Sequence, residues 1–237
     1  MKILRVIRRL TQIASISTAA LFAGAYCQAT EPSAPGSANH ALAGGTPSQS
    51  QGESHQTLIL IRHGEKPSAG LGQLDCQGLN RALALPGVLL SKFGKPDFLF
   101  APDPAQQNVD HRQSYYYIRP LATLEPTAIQ YGMPIATPFG FMDIDKLRLL
   151  LDQPAYRNAR VVIAWEHTMA ERLVKALIQS YGGNPADVPR WQSDDFDSIY
   201  IVKVDRTAEK VTTSFSVEHE GLDHQSSVCP GPAPATP

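Results

Sequence analysis

The sequence predicts an α/β fold in three layers, with a mostly parallel central sheet covered by helices on both faces. Three observations lead there. Short apolar runs at Leu58–Ile61, Asp97–Ala101 and Val161–Trp165 have the composition of buried strands. Longer stretches with helical spacing alternate with them, as crossovers between parallel strands require. Two of the runs also end abruptly in a histidine: Ile61 gives way to Arg62-His63-Gly64-Glu65-Lys66-Pro67, and Trp165 to Glu166-His167. Parallel strands bring such ends to one rim, where open α/β sheets bind ligands.

The N-terminus reads differently. Lys2, Arg5, Arg8 and Arg9 precede an uncharged run, Leu10 to Tyr26, that closes on Cys27-Gln28-Ala29. That order predicts a signal peptide over residues 1–29, cleaved after Ala29. The run is short for a membrane span and broken by Thr, Gln and Ser. Tyr26 stands where a lipoprotein would carry a small residue. The chain is therefore expected to be exported, periplasmic or secreted, with no stable membrane span after cleavage. Cleavage removes four positive charges and no negative one, taking the formal charge from −1 to −5. With no basic run interleaved with aromatics, nucleic acid is not an expected partner.

Thr30 to Gln56 is Pro, Ser, Ala, Gly, Gln and Asn with almost no large apolar residue, which predicts a disordered linker (30–56) with His40 and His55 solvated. The folded domain is expected over 57–222, followed by a flexible tail, 223–237. Cys76 and Cys229 survive cleavage. Export favours their pairing and the tail position favours two free thiols, and both readings stand. No Cys/His spacing suggests a metal.

Taken in order, the elements start with the Leu58–Ile61 strand and a glycine-containing loop, Ser68–Leu74. Asp75-Cys76-Gln77-Gly78 leads into a helix over Leu79–Leu90, kinked or restarted at Pro86 and stopped by Gly94 and Pro96. The second strand, Asp97–Ala101, is followed by a polar loop, Pro102–Gln113. Tyr115–Gln130 reads as helix, with a short first piece at Pro120 and a restart at Pro126. Pro134–Thr137 is a brief strand. Asp143–Leu151 is a helix with Leu147, Leu150 and Leu151 on one face. After Val161–Trp165, Thr168-Met169-Ala170-Glu171 forms a capping box opening a helix to Tyr181, stopped by Gly182-Gly183. Phe196–Val204 and Lys210–Val217 alternate as strands.

The two histidines then suggest a chemistry. Arg62 and Lys66 bring positive charge beside His63. His167 and Thr168 open a helix whose N–H groups favour an anion. Such a pocket suits a phosphoryl group. A neutral imidazole attacks phosphorus once nearby cations neutralise the phosphoryl oxygens, giving a phosphohistidine that water hydrolyses. Arginine suits the surroundings because its fork bonds two oxygens at once.

These residues carry a resemblance. Arg62-His63-Gly64 resembles the RHG motif of the histidine phosphatase superfamily, which includes cofactor-dependent phosphoglycerate mutases and histidine acid phosphatases. Gly78, Arg81-Ala82 and Leu85-Pro86 are similar to the segment that follows in small members. Arg119 to Thr123 resembles the family's Arg-x-x-x-Thr, and Trp165-Glu166-His167 its later histidine-bearing strand end. The resemblance spans Leu58 to Val204. It implies a phosphoglycerate mutase-like fold and His63 as nucleophile. Arg62, Arg119 and His167 would form the phosphate pocket, joined by Lys66 and Thr168, with no cofactor and no metal.

Two departures stand out. The phytase-related branch has a second arginine where Lys66 stands, and lysine lacks the bidentate fork. That branch also follows its second histidine with an aspartate proton donor, where this chain has Thr168. The mutase-like branch takes a glutamate after the second arginine segment. That region here offers Asp143 and Asp145, which lead as proton donors, followed by Glu65 and Glu166.

The remaining features take structural readings. Arg81 and Arg112 read as solvated or structural charges, and Tyr115-Tyr116-Tyr117 and Trp165 as packing. Trp191 could line a pocket rim. Asp194, Asp195 and Asp197 read as a solvated turn or strand cap, and His111, His219 and His224 as exposed. The expected function is an exported phosphomonoesterase acting on a phosphorylated small molecule or envelope component. Mutase activity is less attractive, because its phosphorylated sugar-acid substrates belong to cytoplasmic metabolism. The alternative is a non-catalytic phosphate-ligand-binding or envelope-associated protein that retains the pocket.

Overall fold

A computed structural model describes residues 53–232. The expected signal segment, 1–29, and nearly all of the expected linker lie outside the described residues. Elements are numbered in chain order. The strand β1 (Ser54–Arg62) is central, with Leu58 through Ile61 fully buried. β6 (Arg160–Trp165) runs parallel to it, pairing Ile61 with Ala164 and Arg62 with Trp165. Beyond β6 lie β2 (Phe98–Phe100) and the two-residue β5 (Ile135–Ala136), also parallel. On the other side β7 (Ser198–Arg206) and β8 (Val211–His219) pair antiparallel. The six-stranded order is β5-β2-β6-β1-β7-β8.

The pleat sorts the apolar side chains of β1 onto two cores. Leu58 and Leu60 pack with Leu147 and Leu151 of α3 (Ile144–Leu151) and Leu173 and Leu177 of α4 (His167–Ser180). Ile59 and Ile61 pack with Leu85 and Leu89 of α1 (Cys76–Phe93) and Leu124 and Ala128 of α2 (Arg119–Tyr131). The result is the expected three-layer sandwich. No helix among the described residues is long and apolar enough to cross a membrane.

Several local expectations change. The sheet begins at Ser54, inside the expected linker. Gln56 is buried there, donating to the Leu151 carbonyl (2.8 Å) and accepting from Arg206 (3.2 Å). Strand pairing with β7 supplies backbone partners that polar composition could not reveal. The segment after Leu222 is likewise anchored, since Cys76 and Cys229 are disulfide-bonded and Asn80 donates to the Ser226 and Val228 carbonyls. α1 continues through Pro86 and α2 through Pro126 without a restart. Each proline forfeits one helical hydrogen bond. The buried stripes on either side hold the helices against the sheet despite it.

A hairpin, β3 (Gln107–Asp110) and β4 (Gln113–Tyr116), spans the end of the expected polar loop and takes Tyr115 and Tyr116 from the expected helix, which starts only at Arg119. Its turn residues His111 (φ 47°) and Arg112 (φ 69°) both adopt left-handed backbone. That geometry usually announces itself as Asn-Gly, and here no glycine marks it. The capping box is also displaced. Glu166, one residue before the helix, accepts from the Met169 amide at 2.9 Å. Glu171 instead accepts from the Trp191 amide and from Lys175.

The disulfide closes a span of 153 residues. Replacing both cysteines by serine, or reducing the bond, should lower stability by about 2–5 kcal/mol. Denaturant unfolding with and without reductant checks this, and an unchanged midpoint would contradict it.

Candidate active site

His63 is 2 % exposed at the end of β1, where its backbone amide donates to the Trp165 carbonyl. Its Nδ1 lies 2.7 Å from the Gly64 carbonyl oxygen. A carbonyl only accepts, so Nδ1 carries the proton and Nε2 keeps a free lone pair. Burial, then the Arg119 and Arg62 charges, push the imidazole down to about 3, against the opposing pull of the Gly64 carbonyl. The ring is therefore neutral across the physiological range. Tyr117 meets it edge-on at 6.0 Å and Phe196 at 6.2 Å, which limits its rotation.

The backbone around the histidine is held from two directions. The Gly64 amide donates to the Thr123 hydroxyl, which donates to the Arg119 carbonyl, both at 2.9 Å. Gly64 also touches Gly78 at the start of α1. A Cβ on Gly64 would lie 2.9 Å from the Gly78 Cα, and one on Gly78 would lie 2.3 Å from the Glu65 carbonyl oxygen. Both glycines are there for close approach.

His63, Arg62, Arg119 and His167 all line one pocket of about 350 Å³, together with Lys66 and Thr168. Arg62 is anchored by the Ser193 and Asp195 carbonyls (2.8 and 2.9 Å) and lies over the Phe196 ring at 3.6 Å. Burial pulls its guanidinium down to about 10, with Glu166 opposing, and it stays charged. Arg119 is the first residue of α2, and its amide donates to the Gly72 carbonyl. Gly72 (φ +71°) has no room for a side chain, because a Cβ would come within 2.1 Å of the Tyr116 oxygen. Among the described residues, six buried side-chain polar atoms lack a hydrogen-bond partner. Three of them are Arg62 Nε, Arg119 Nε and His167 Nδ1. All three residues line the pocket, which gathers donor side chains where an anionic ligand would be bound.

Glu166 alters the reading of the second strand end. Its carboxylate caps α4, so the helix N-terminus already holds one of the chain's own anions. Burial alone would raise this carboxyl, but His167 and the Thr168 and Met169 amides outweigh it and hold it at about 2. Glu166 Oε1 lies 2.6 Å from His167 Nδ1, close enough to pair, though off the ring N–H direction. An acid so strongly ionised has no proton to donate. The other candidates stand elsewhere. Glu65 turns to Arg81, with contacts of 2.7 and 3.0 Å. Asp143 pairs with Lys146 (2.8 Å), which holds its carboxyl below the usual range, and Asp145 is exposed. Neither aspartate lines the pocket.

Sequence reasoning passed over Asp110 and left Arg81 between a solvated and a structural charge, of which the structure shows the second. Asp110 on β3 lines the pocket and bridges Lys66 (3.0 Å) and Arg119 (2.9 Å). Its hairpin carried no turn signal. Arg81 is fully buried, gathering Glu65, Glu220 and Asp223 at 2.7–3.0 Å and Asp197 at 3.5 Å. Burial works against its charge, but Glu65 and Glu220 outweigh that and raise its pKa. Trp191 is core rather than rim, stacked on Tyr200 at 4.1 Å. Asp195 accepts from the Asp197 and Ser198 amides, as a turn cap would, whereas Asp197 is buried rather than solvated and accepts from the distant Leu222 amide. No group of three or more potential metal ligands occurs among the described residues.

No protein-family model matches the chain, and no curated protein does. Solved structures do align. A candidate phosphohistidine phosphatase SixA from Nakamurella multipartitia matches at 14% identity and TM-score 0.45, over 64% of this chain and 86% of that one. A phosphoserine phosphatase mutant from Entamoeba histolytica, in complex with phosphoserine, matches at 14% identity and TM-score 0.42, over 71% and 98%. A candidate SixA from Agrobacterium tumefaciens matches at 14% identity and TM-score 0.42, over 68% and 97%. At this level the matches say nothing about the chemistry of this chain.

Two predictions follow from the Arg81 cluster. Arg81→Met should destabilise the protein by about 3–5 kcal/mol, because it leaves buried carboxylates unpaired. Burial, with Asp197 and Glu65 adding to it against Arg81, raises the Glu220 carboxyl from 4.5 to about 8. Between those values the folded state binds more protons than the unfolded one, so stability falls as pH rises through that window. Melting temperatures from pH 5 to 8 should fall less for Glu220→Gln than for wild type. Superimposable profiles would contradict this.

Proposed function

We propose that the protein is a phosphomonoesterase that works through a phosphohistidine on His63 Nε2. The observation that carries this reading is the buried, neutral imidazole whose Nδ1–H is committed to the Gly64 carbonyl. Its free nitrogen shares a pocket with two arginines that have unpaired buried donors. Nε2 attacks the phosphorus atom. Arg62 and Arg119 neutralise the equatorial oxygens, and their planar forks suit a charge spread over several oxygens. His167, beside the Glu166 carboxylate, adds a further donor to the same pocket. His63 and Arg62 are fixed by carbonyls and aromatic faces before substrate arrives, so these two need little reorganisation.

Export is part of the proposal. The N-terminal charge and hydropathy order supports it, and so does the Cys76–Cys229 bond, since disulfides persist chiefly in oxidising compartments. The substrate is then a phosphate monoester met outside the cytoplasm.

Turnover of a generic aryl phosphate by the purified protein tests the reading. His63→Ala should lower it by about a thousandfold or more. Because His63 stays neutral, activity on the acid side should not fall with the ordinary imidazole titration near 6.5. Equal turnover by wild type and His63→Ala would sink the proposal.

A further inference from the structure

The leaving oxygen needs a proton, and none of the four carboxyls singled out in the sequence both lines the pocket and holds one. We propose that Asp110, at the end of β3, is the general acid of the proposed phosphatase reaction, released for this role when the substrate's phosphoryl group takes Lys66 and Arg119 from it. The inference rests on the phosphatase reading above.

The geometry carries it. Asp110 lines the same pocket as His63, and its side chain is 11 % exposed. Its two oxygens lie 3.0 and 3.2 Å from Lys66 Nζ, and Oδ2 lies 2.9 Å from the Arg119 guanidinium. The carboxylate thus sits on two cations that face the phosphoryl site. The hairpin is seated closely enough that a Cβ on Gly70, itself at φ +80°, would come within 2.3 Å of the Asp110 carboxyl carbon. His111, on the same hairpin, is 3.9 Å away. Across the pocket stand His63, Arg62 and the Glu166–His167 pair. Glu166, the other carboxylate lining the pocket, is committed to α4 and His167.

In the free protein Asp110 is ionised, because Lys66 and Arg119 outweigh the effect of burial and lower its carboxyl. A phosphoryl dianion that draws both cations reverses the balance. The carboxylate loses its opposite charges and gains a negative neighbour, and both changes favour the protonated form. Asp110 then takes a proton from solvent or from a monoanionic ester. As Nε2 bonds to phosphorus, the ester P–O bond breaks and its electron pair goes to the ester oxygen. That oxygen takes the Asp110 proton and departs as the alcohol. Water next attacks phospho-His63, the P–N bond breaks with its pair returning to Nε2, and both of the water's protons leave on the released phosphate. One ester and one water give one alcohol and one phosphate.

Asp110→Asn in the full chain, assayed on glycerol phosphate and on dinitrophenyl phosphate, tests the role. The alkyl ester needs its leaving oxygen protonated and the dinitrophenyl ester does not. The variant should lose ~100-fold or more in kcat on glycerol phosphate and at least about tenfold less than that on the aryl ester. Inorganic phosphate should inhibit it more strongly than wild type, since the competing carboxylate is gone. Asp110→Glu should recover part of the alkyl activity. Equal slowing on both esters would overturn the acid role and leave the phosphatase reading standing. Failure of wild type to hydrolyse either ester would overturn both.

Discussion

One hydrogen bond, from His63 Nδ1–H to the Gly64 carbonyl, decides what this site can do. It fixes the tautomer, turns the lone pair to Nε2, and does so inside a shell where the imidazolium is strongly disfavoured. A histidine with the other tautomer would present an N–H to phosphorus and could not attack it. The rest of the local structure serves that contact. Gly64 must lie where its carbonyl meets its own residue's neighbour, and Thr123 holds its amide from α2. The Gly64–Gly78 approach then sets the loop against α1.

Behind the loop, charge is managed with the same economy. Arg81 draws four carboxylates from three regions of the chain, so the β1 loop, the start of β7 and the segment after β8 share one buried cation. The segment after β8 is tied again to α1 through Cys76 and Cys229. The front of the pocket uses the opposite arrangement. There the cations outnumber the carboxylates, and Asp110 and Glu166 keep Lys66, Arg119 and His167 in place before any ligand arrives.

What was legible in the sequence follows from periodicity and abruptness. Runs such as Leu58–Ile61 and Val161–Trp165 read as buried strands from their shortness and composition, and charge at their ends reads as a rim, so the sheet and the two histidines were accessible from the sequence. Arg119 needed the family resemblance, because an isolated arginine before a proline says nothing of its burial. Asp110 was hidden by a hairpin whose turn is His111-Arg112 instead of a glycine pair. Arg81 was hidden because its partners, Glu65, Asp197, Glu220 and Asp223, are brought together only by the tertiary fold. Glu166 as the helix cap was masked by the more conventional Thr168–Glu171 pattern. In each case the deciding contact joins residues that are distant in sequence, or departs from the common local signal.

The central claim is that Nε2 of His63 is the attacking atom. It is tested most directly by quenching the protein during turnover of an aryl phosphate and locating the trapped phosphate by phosphorus NMR and peptide mass spectrometry. The account predicts a phosphoramidate on Nε2 of His63. Phosphate on Nδ1, on another side chain, or on no residue while turnover proceeds would contradict it.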